Sequence, residues 1–438
     1  MALIVFLMLP ALFIISGCGS SNEPDGINIG RYEVFSSDAS NLVEGVGTGD
    51  RQIYVRDRQT GVITLVSVGI DGEPADNDCN GAQRASISAD GRYVVFDSNA
   101  TNLVDMEFQG ERQIYVRDLQ EGVTTLVSLG YDGKMGDYCA KEASISADGR
   151  YIVYGSNSSN ILEGVAGSNL RQIFLYERAT GTTTLISANS DGDQGNKCSR
   201  APVISADGRY VAFDSNATNL LADAMPSEVS YIYLRNIQTG VITLVSEGYD
   251  GNPPDASSYY PSISADGRYV AFCSYATNLV EGLTANGYYQ IYRRDMESGE
   301  TTLVSVGYDG EPGNNYNFSP SISADGRYVA FYSNATNLVD REYPDSIYQV
   351  YLRDMQAEVT ALVSVGYDGN PGDTHSYGPL ISADGGRVYF YSAASNLMEG
   401  VYSGYYQVYA WDRVAGTLEI ISVNSSGDAG NDNSYVKD

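Results

Sequence analysis

The sequence predicts an all-β protein, a seven-bladed β-propeller of four-stranded antiparallel blades with one repeat of about 59 residues per blade. Three observations carry that prediction: a repeat that fills the chain, four short strand-like runs in each copy, and turn residues at the joints. ISADG begins at Ile87, Ile145, Ile204, Ile263, Ile322 and Ile381, so successive copies stand 58, 59, 59, 59 and 59 residues apart. A period of this size marks one supersecondary unit stacked on its neighbours. A degenerate seventh copy precedes them, GINIGRYEVFSSDASNL (Gly26 to Leu42), which sets Gly30 and Tyr32 where Gly91 and Tyr93 stand in the next unit.

Within a unit the apolar residues form short runs and never a long helical stripe, which argues strands. In the copy starting at Ser321 the runs are SIS (Ser321 to Ser323), RYVAFYS (Arg327 to Ser333), YQVYLRD (Tyr348 to Asp354) and TALVSVG (Thr360 to Gly366). Their Val, Ile, Tyr, Phe and Thr suit a pleated surface. In the second run Tyr328, Ala330 and Tyr332 point one way and Val329, Phe331 and Ser333 the other, so both faces carry bulk. A sheet buried on both faces by like sheets is a propeller blade. Asp-Gly in SADG closes the first hairpin, because that dipeptide accepts positive φ. The third and fourth strands are joined by short turns ending in glycine, as at Asp118 to Gly122; Glu358 departs from that rule. The chain ends at SYVKD (Ser434 to Asp438), where another first strand would begin, so this tail is expected to close the ring beside or in place of the weak GINI segment.

ISADGRYVAF, followed by QIYVRD and TTLVS, resembles the TolB-type, WD-repeat-like propeller repeats of bacterial envelope proteins. The resemblance covers nearly all of the chain after residue 25 and implies a propeller placed in the cell envelope. It implies little about activity, since propellers host binding, scaffolding and several chemistries. TolB carries an α/β domain ahead of its propeller that no segment here is expected to encode, so its partners are not carried over.

The expected organisation is a signal peptide over 1–18, a tether over 19–25 and the propeller over 26–438. Ala2 to Ser16 is an apolar run of signal-peptide length. It ends in Ile15-Ser16-Gly17-Cys18, which resembles a lipobox and implies lipidation of Cys18, although no Lys or Arg precedes the run. The expected location is therefore extracytoplasmic, a membrane-anchored lipoprotein on the periplasmic side or the cell surface. The tether GSSNEPD would hold the ring within about 25 Å of its membrane at about 3.5 Å per residue. Against 55 Asp and Glu stand 26 Lys and Arg, a net charge of −29 that repels phosphate backbones and argues against nucleic acid.

Function is expected at the end of the ring where the second-to-third and blade-to-blade connections gather, because these are long while the others are tight turns. The second-to-third loops differ most: EGVGTGDR, DMEFQGER, EGVAGSNLR, ADAMPSEVS, EGLTANGYY, DREYPDSIY and EGVYSGYY. Tyr259, Tyr260, Tyr288, Tyr289, Tyr316, Tyr343, Tyr377, Tyr402, Tyr405 and Tyr406 map to this face. They read either as a contact surface for a protein or glycan or as packing between long loops. No cofactor is expected, with calcium kept as the alternative. The loops at Asp71, Asp132, Asp191, Asp250, Asp309 and Asp368 offer calcium two or three oxygen ligands each where it takes six to eight, and read more economically as paired turns.

Cys79, Cys139 and Cys198 occupy nearly equivalent loop positions and are expected near one another, as thiols, a disulfide or soft-metal ligands; Cys273 reads as a buried thiol. No catalytic residue is assigned: His375 is the one histidine, and no GxSxG occurs. The expected function is a binding or scaffolding module of the envelope. The alternatives are an enzyme acting on envelope polysaccharide and a self-assembling surface protein.

Overall fold

A computed structural model describes residues 30–436 except 48, 80–84, 109, 166–169, 224, 227–228, 284–285, 342–345 and 402–403. The proposed leader, tether and Cys18 lie outside the described residues, as do Tyr343 and Tyr402. Among the described residues 28 strands form seven four-stranded antiparallel sheets, the expected blades. Blade 6 shows the pattern, with strands Asn317–Ile322, Tyr328–Ser333, Gln349–Asp354 and Val359–Leu362 in that spatial order. A cross-strand Phe–Tyr stack recurs in each blade, as Phe331 on Tyr351 at 5.8 Å, and apolar clusters fill each blade-to-blade space.

The first strands lie innermost and are laced together. The N–H groups of Ala89, Ala147, Ala265 and Ala324 donate to the carbonyls of Ala147, Ala206, Ala324 and Ala383 in the following blades at 2.8 to 3.0 Å. The ISADGRY motif is explained at the same joint. In blade 6 Gly326 sits at φ +72°, and a Cβ there would fall 2.1 Å from Cδ2 of Tyr269 in blade 5. Arg268 and Arg293 bracket that ring at 5.0 and 4.6 Å, and Arg293 donates to the Gly326 carbonyl at 2.7 Å. Glycine is thus required both by the turn and by the neighbouring blade. Gly326→Ala is expected to cost more than about 2 kcal/mol in urea unfolding, from left-handed strain plus overpacking. In a Tyr269→Ala background only the strain, about 1 kcal/mol, should remain; equal costs in both backgrounds would rule out the ring contact.

Glu358, which breaks the glycine rule in the outer hairpin of blade 6, adopts φ +57°, so the turn survives with a strained glutamate. The ring closes through the tail as expected. Ser434–Tyr435 pairs antiparallel with Tyr32–Ser37 and supplies the innermost strand of blade 1. The blade 7 to blade 1 space is filled like the others, by Tyr389, Val408 and Ile421 against Phe35, Tyr54 and Val436.

Candidate functional site

The long loops all emerge at one end of the ring, and buried polar contacts fix their bases. In blade 2 Gln113 donates to the Gly136 carbonyl at 2.8 Å and accepts from Ser128 Oγ at 2.6 Å, while Ser128 Oγ accepts the Ile114 N–H. The same Gln–Ser pair recurs in every blade but the fourth, where Tyr231 replaces the glutamine. Leaving such buried amides unpaired costs about 1–3 kcal/mol each, which is why QIY and LVS repeat so closely.

The acidic blade-to-blade loops use their oxygens structurally. Asp71 and Asp132 accept backbone N–H groups two residues on at 3.1 Å. Asp76, Asp137, Asp255 and Asp373 grip Thr101, Ser159, Thr277 and Ser395 of the second-to-third loops. Among the described residues no group of three or more His, Cys, Asp or Glu side chains is placed to hold a metal ion.

The residue just before the third strand differs systematically round the ring. It is Arg51, Arg112 and Arg171 in blades 1 to 3, Ser230 in blade 4, and Tyr289, Tyr348 and Tyr406 in blades 5 to 7. The long-loop end is thereby divided into a charged arc and an aromatic arc.

The aromatic arc is continuous. Tyr260, Tyr259, Tyr289, Phe318, Tyr332, Tyr377, Tyr391 and Tyr435 follow one another with ring centroids 5.2 to 6.2 Å apart, from blade 5 through to blade 1. Tyr288 and Tyr316 flank it in a T-shaped pair at 5.1 Å, and Tyr406 meets Tyr391 at 5.4 Å. Most of these rings are half-buried, each held by its neighbours, so packing and display coexist. Tyr260 and Tyr405 are exposed. Tyr260 stands in a bulge of its strand at φ +54°. Burial raises the Tyr289 and Tyr332 phenols and lifts Tyr377 to about 12, so they stay un-ionised as hydrogen-bond donors and acceptors.

Sequence reasoning named Tyr259, Tyr260, Tyr288, Tyr289, Tyr316, Tyr377, Tyr405 and Tyr406, and of these all but Tyr405 fall within the ring contacts described above. It missed Phe318, Tyr332, Tyr391 and Tyr435, and with them Tyr275, whose ring lies 3.6 Å from that of Tyr289, and Tyr348, 5.5 Å from Tyr332. The available signal was substitution within the repeat: Tyr332 and Tyr391 stand where blades 2 and 4 have Asp97 and Asp214. His375 belongs to the arc, stacked on Tyr377 at 5.5 Å with Nδ1 accepting the Tyr348 N–H at 3.1 Å.

At the opposite arc Arg51 reaches Asp38 in a two-point ion pair at 2.8 and 3.0 Å and lies 4.3 Å over Tyr435, which joins the arcs. Glu142, at φ +62°, accepts from Arg171 at 3.2 Å and from the Ala201 N–H at 2.9 Å. Asp97 is 96% buried in its strand, given its 4% exposure. Arg112 Nε approaches its Oδ2 at 3.3 Å but off the hydrogen-bond axis, and neither atom has a hydrogen-bond partner. Burial lifts the Asp97 carboxyl to about 7 against the pull of Arg112, and nearby Glu142 adds to the rise.

The four described cysteines are free thiols. Cys139 and Cys198 hold equivalent positions, their carbonyls accepting Asn157 and Asn216 N–H. Cys79 does not: Asp78 fills that role in blade 2, and Cys79 is one residue further along, buried against Ser98 Oγ at 3.2 Å. Cys273 is buried as expected.

Fold and site together define a closed seven-bladed propeller whose long-loop end carries an aromatic arc and a charged arc. Among solved structures the chain is similar to TolB from Acinetobacter baumannii, at 15% identity over 91% of this chain and 85% of that one with a TM-score of 0.43. It is similar to an oligogalacturonate lyase from Vibrio parahaemolyticus, at 15% identity over 78% and 80% with a TM-score of 0.46. The β-propeller domain of the Trilobed protease from Pyrococcus furiosus matches at 10% identity over 90% and 96% with a TM-score of 0.54. TolB propellers thus stand among the structures that match, as the repeat's resemblance implies, and likeness at this identity speaks for the fold alone. The Pyrococcus domain is described as having an open velcro topology, whereas this ring is closed by Ser434–Tyr435. No protein-family model and no curated protein matches the chain.

Proposed function

We propose that the protein is an exported binding or scaffolding module of the cell envelope, held at a membrane by lipid on Cys18, that takes a protein or glycan ligand on its long-loop face. What supports this reading is the unbroken file of mutually packed rings from Tyr260 to Tyr435, most of them half-buried. Tyrosines already held by neighbours lose little entropy on contact and offer both a flat face and a polar tip. Gly30 and Arg31 enter blade 1 at the tight-turn end, where Arg31 pairs with Asp57 at 2.7 Å. A lipid on Cys18 would bring that end to the membrane and turn the long loops outward.

The test is a glycan and peptidoglycan-fragment array probed with the chain from Ser20 onward, with and without calcium, and repeated with Tyr288, Tyr289, Tyr405 and Tyr406 changed to Ala. Binding is expected and should fall at least about tenfold in the variant, the loss of about 1.4 kcal/mol or more of aromatic contact. Binding untouched by the four substitutions would remove the aromatic arc from function. One observation favours the enzyme alternative, the Asp97 carboxyl lifted to about 7 beside Arg112. Shortening of any bound polysaccharide, followed by chromatography, would establish it.

A further inference from the structure

On the reading of the long-loop face as a ligand site, we propose that the charged arc holds an anion subsite and that the ligand is an acidic glycan, its sugar faces on the tyrosines and its carboxylates at Arg112 and Lys141. A groove of about 510 Å³ opens between blades 2 and 3, lined by Asn77, Asn99, Phe108, Glu111, Arg112 and Lys141. Two cations face it with their donors uncommitted. Arg112 makes no side-chain hydrogen bond among the described residues, its one charge contact being the off-axis approach of Nε to Asp97. Lys141 Nζ lies 3.9 Å from Glu142 Oε1, beyond hydrogen-bond range, because Glu142 is turned to Arg171 and Ala201.

This is unusual in a chain of net charge −29, where most arginines are paired, as Arg92 with Asp118, Arg268 with Asp295 and Arg327 with Asp354. Spare guanidinium and ammonium donors beside two amides suit a carboxylate. Among the groove's described lining residues Glu111 is the one acid; Asp97 and Glu142 approach the two cations from outside that lining, and charges farther round the ring are screened beyond roughly 8–10 Å at physiological salt. The arrangement also commits to a carbohydrate rather than to a free anion, because Arg51 on Tyr435 makes the charged and aromatic arcs one surface. An extended ligand laid along the rings from blade 5 to blade 1 arrives at the arginines of blades 1 and 2.

The experiment is an array holding neutral glycans beside their C6-carboxylated counterparts, read in 50 and 300 mM NaCl with the wild-type chain, Arg112→Gln/Lys141→Gln, and Lys141→Gln alone. Carboxylated chains are expected to bind at least about tenfold tighter than their neutral partners at low salt, with the preference shrinking at high salt and vanishing in the double variant. Lys141→Gln leaves the Asp97–Arg112 pair in place and should remove part of the preference, so the test holds even if the double variant melts early. Equal binding of neutral and carboxylated chains, or a preference that survives both variants, overturns the subsite while leaving the tyrosine face intact. Binding of no glycan of either charge would overturn the glycan reading of the face and the subsite with it.

Discussion

Truncation after Val423 is expected to abolish cooperative melting of the ring rather than to trim it, with a loss above about 4 kcal/mol, a range tied to damage of a whole mechanism. The fifteen residues removed are few, but their contacts bridge the two ends of the chain. Ser434 and Tyr435 pair with Ser37 and Ser36, and Ser37 Oγ meets Ser434 Oγ at 2.8 Å in a buried contact. Ser40 N–H donates to Asn431 Oδ1, Asn41 to the Ala429 carbonyl and buried Gln407 to the Gly430 carbonyl, each at 2.9 to 3.0 Å. Without the tail the Gln407 amide loses that carbonyl in the interior, Val436 leaves the blade 7 to blade 1 core, and the second strand of blade 1 becomes an edge. In a solenoid that is open at both ends, loss of one strand would be felt mainly by its neighbour. In a closed ring it removes the latch for both ends at once. Circular dichroism melting of the truncated and full-length chains decides this, and a peptide of residues 424–438 added in trans should restore part of the loss. Equal transitions would show that the blade 7 to blade 1 core alone closes the ring.

The architecture was legible because its causes are local and repeated seven times. ISADG encodes a serine that accepts the Tyr N–H, an aspartate that accepts the Arg N–H and a glycine at positive φ, as in Ser323, Asp325 and Gly326. Ring closure was legible for the same reason, since SYVKD stands one period after the last first strand. The site was legible only in part. Tyrosines in loops announce themselves, but Tyr332, Tyr391 and Phe318 sit inside strands, where a bulky residue reads as core until the fold shows that this strand end opens on the loop face. The charged arc was hidden differently. The strings DR, ER and LR before QIY or QIF were in view, yet an arginine beside an acidic loop reads as one more surface pair. Only register reveals that Arg112 has a misaligned, buried carboxylate and an open groove in front of it. Cys79 was legible to within one position, because it lies eight residues after its Asp-Gly aspartate against seven for Cys139 and Cys198, and the backbone hydrogen bonds place it one residue further along.

Asp97→Asn is expected to stabilise the protein at alkaline pH, with the gain disappearing in acid. Folding carries this carboxyl from about 3.9 in the unfolded chain to about 7, chiefly by burial. A group whose pKa rises on folding supports the native state fully below its unfolded value and withdraws that support as pH climbs to its folded value. The wild type should therefore match the variant near pH 4, fall behind between about 4 and 7, and lag by a steady amount above that, on the order of 4 kcal/mol for a shift of about three units. Asparagine keeps the shape and carries no charge, so its own contribution should be flat. Other carboxylates, such as Asp57 held to about 2 by Arg31, titrate alike in both chains and cancel in the difference. The ion pair at 3.3 Å argues the other way, for an ionised Asp97. Burial should prevail, because Nε–H does not point at the carboxylate and neither atom gains a hydrogen bond. Urea midpoints of both proteins from pH 4 to 8.5 separate the two cases. A difference that grows with pH leaves Arg112 only loosely engaged by Asp97 and open to a ligand carboxylate; a flat difference would mean that Arg112 fully offsets the buried charge and is already committed.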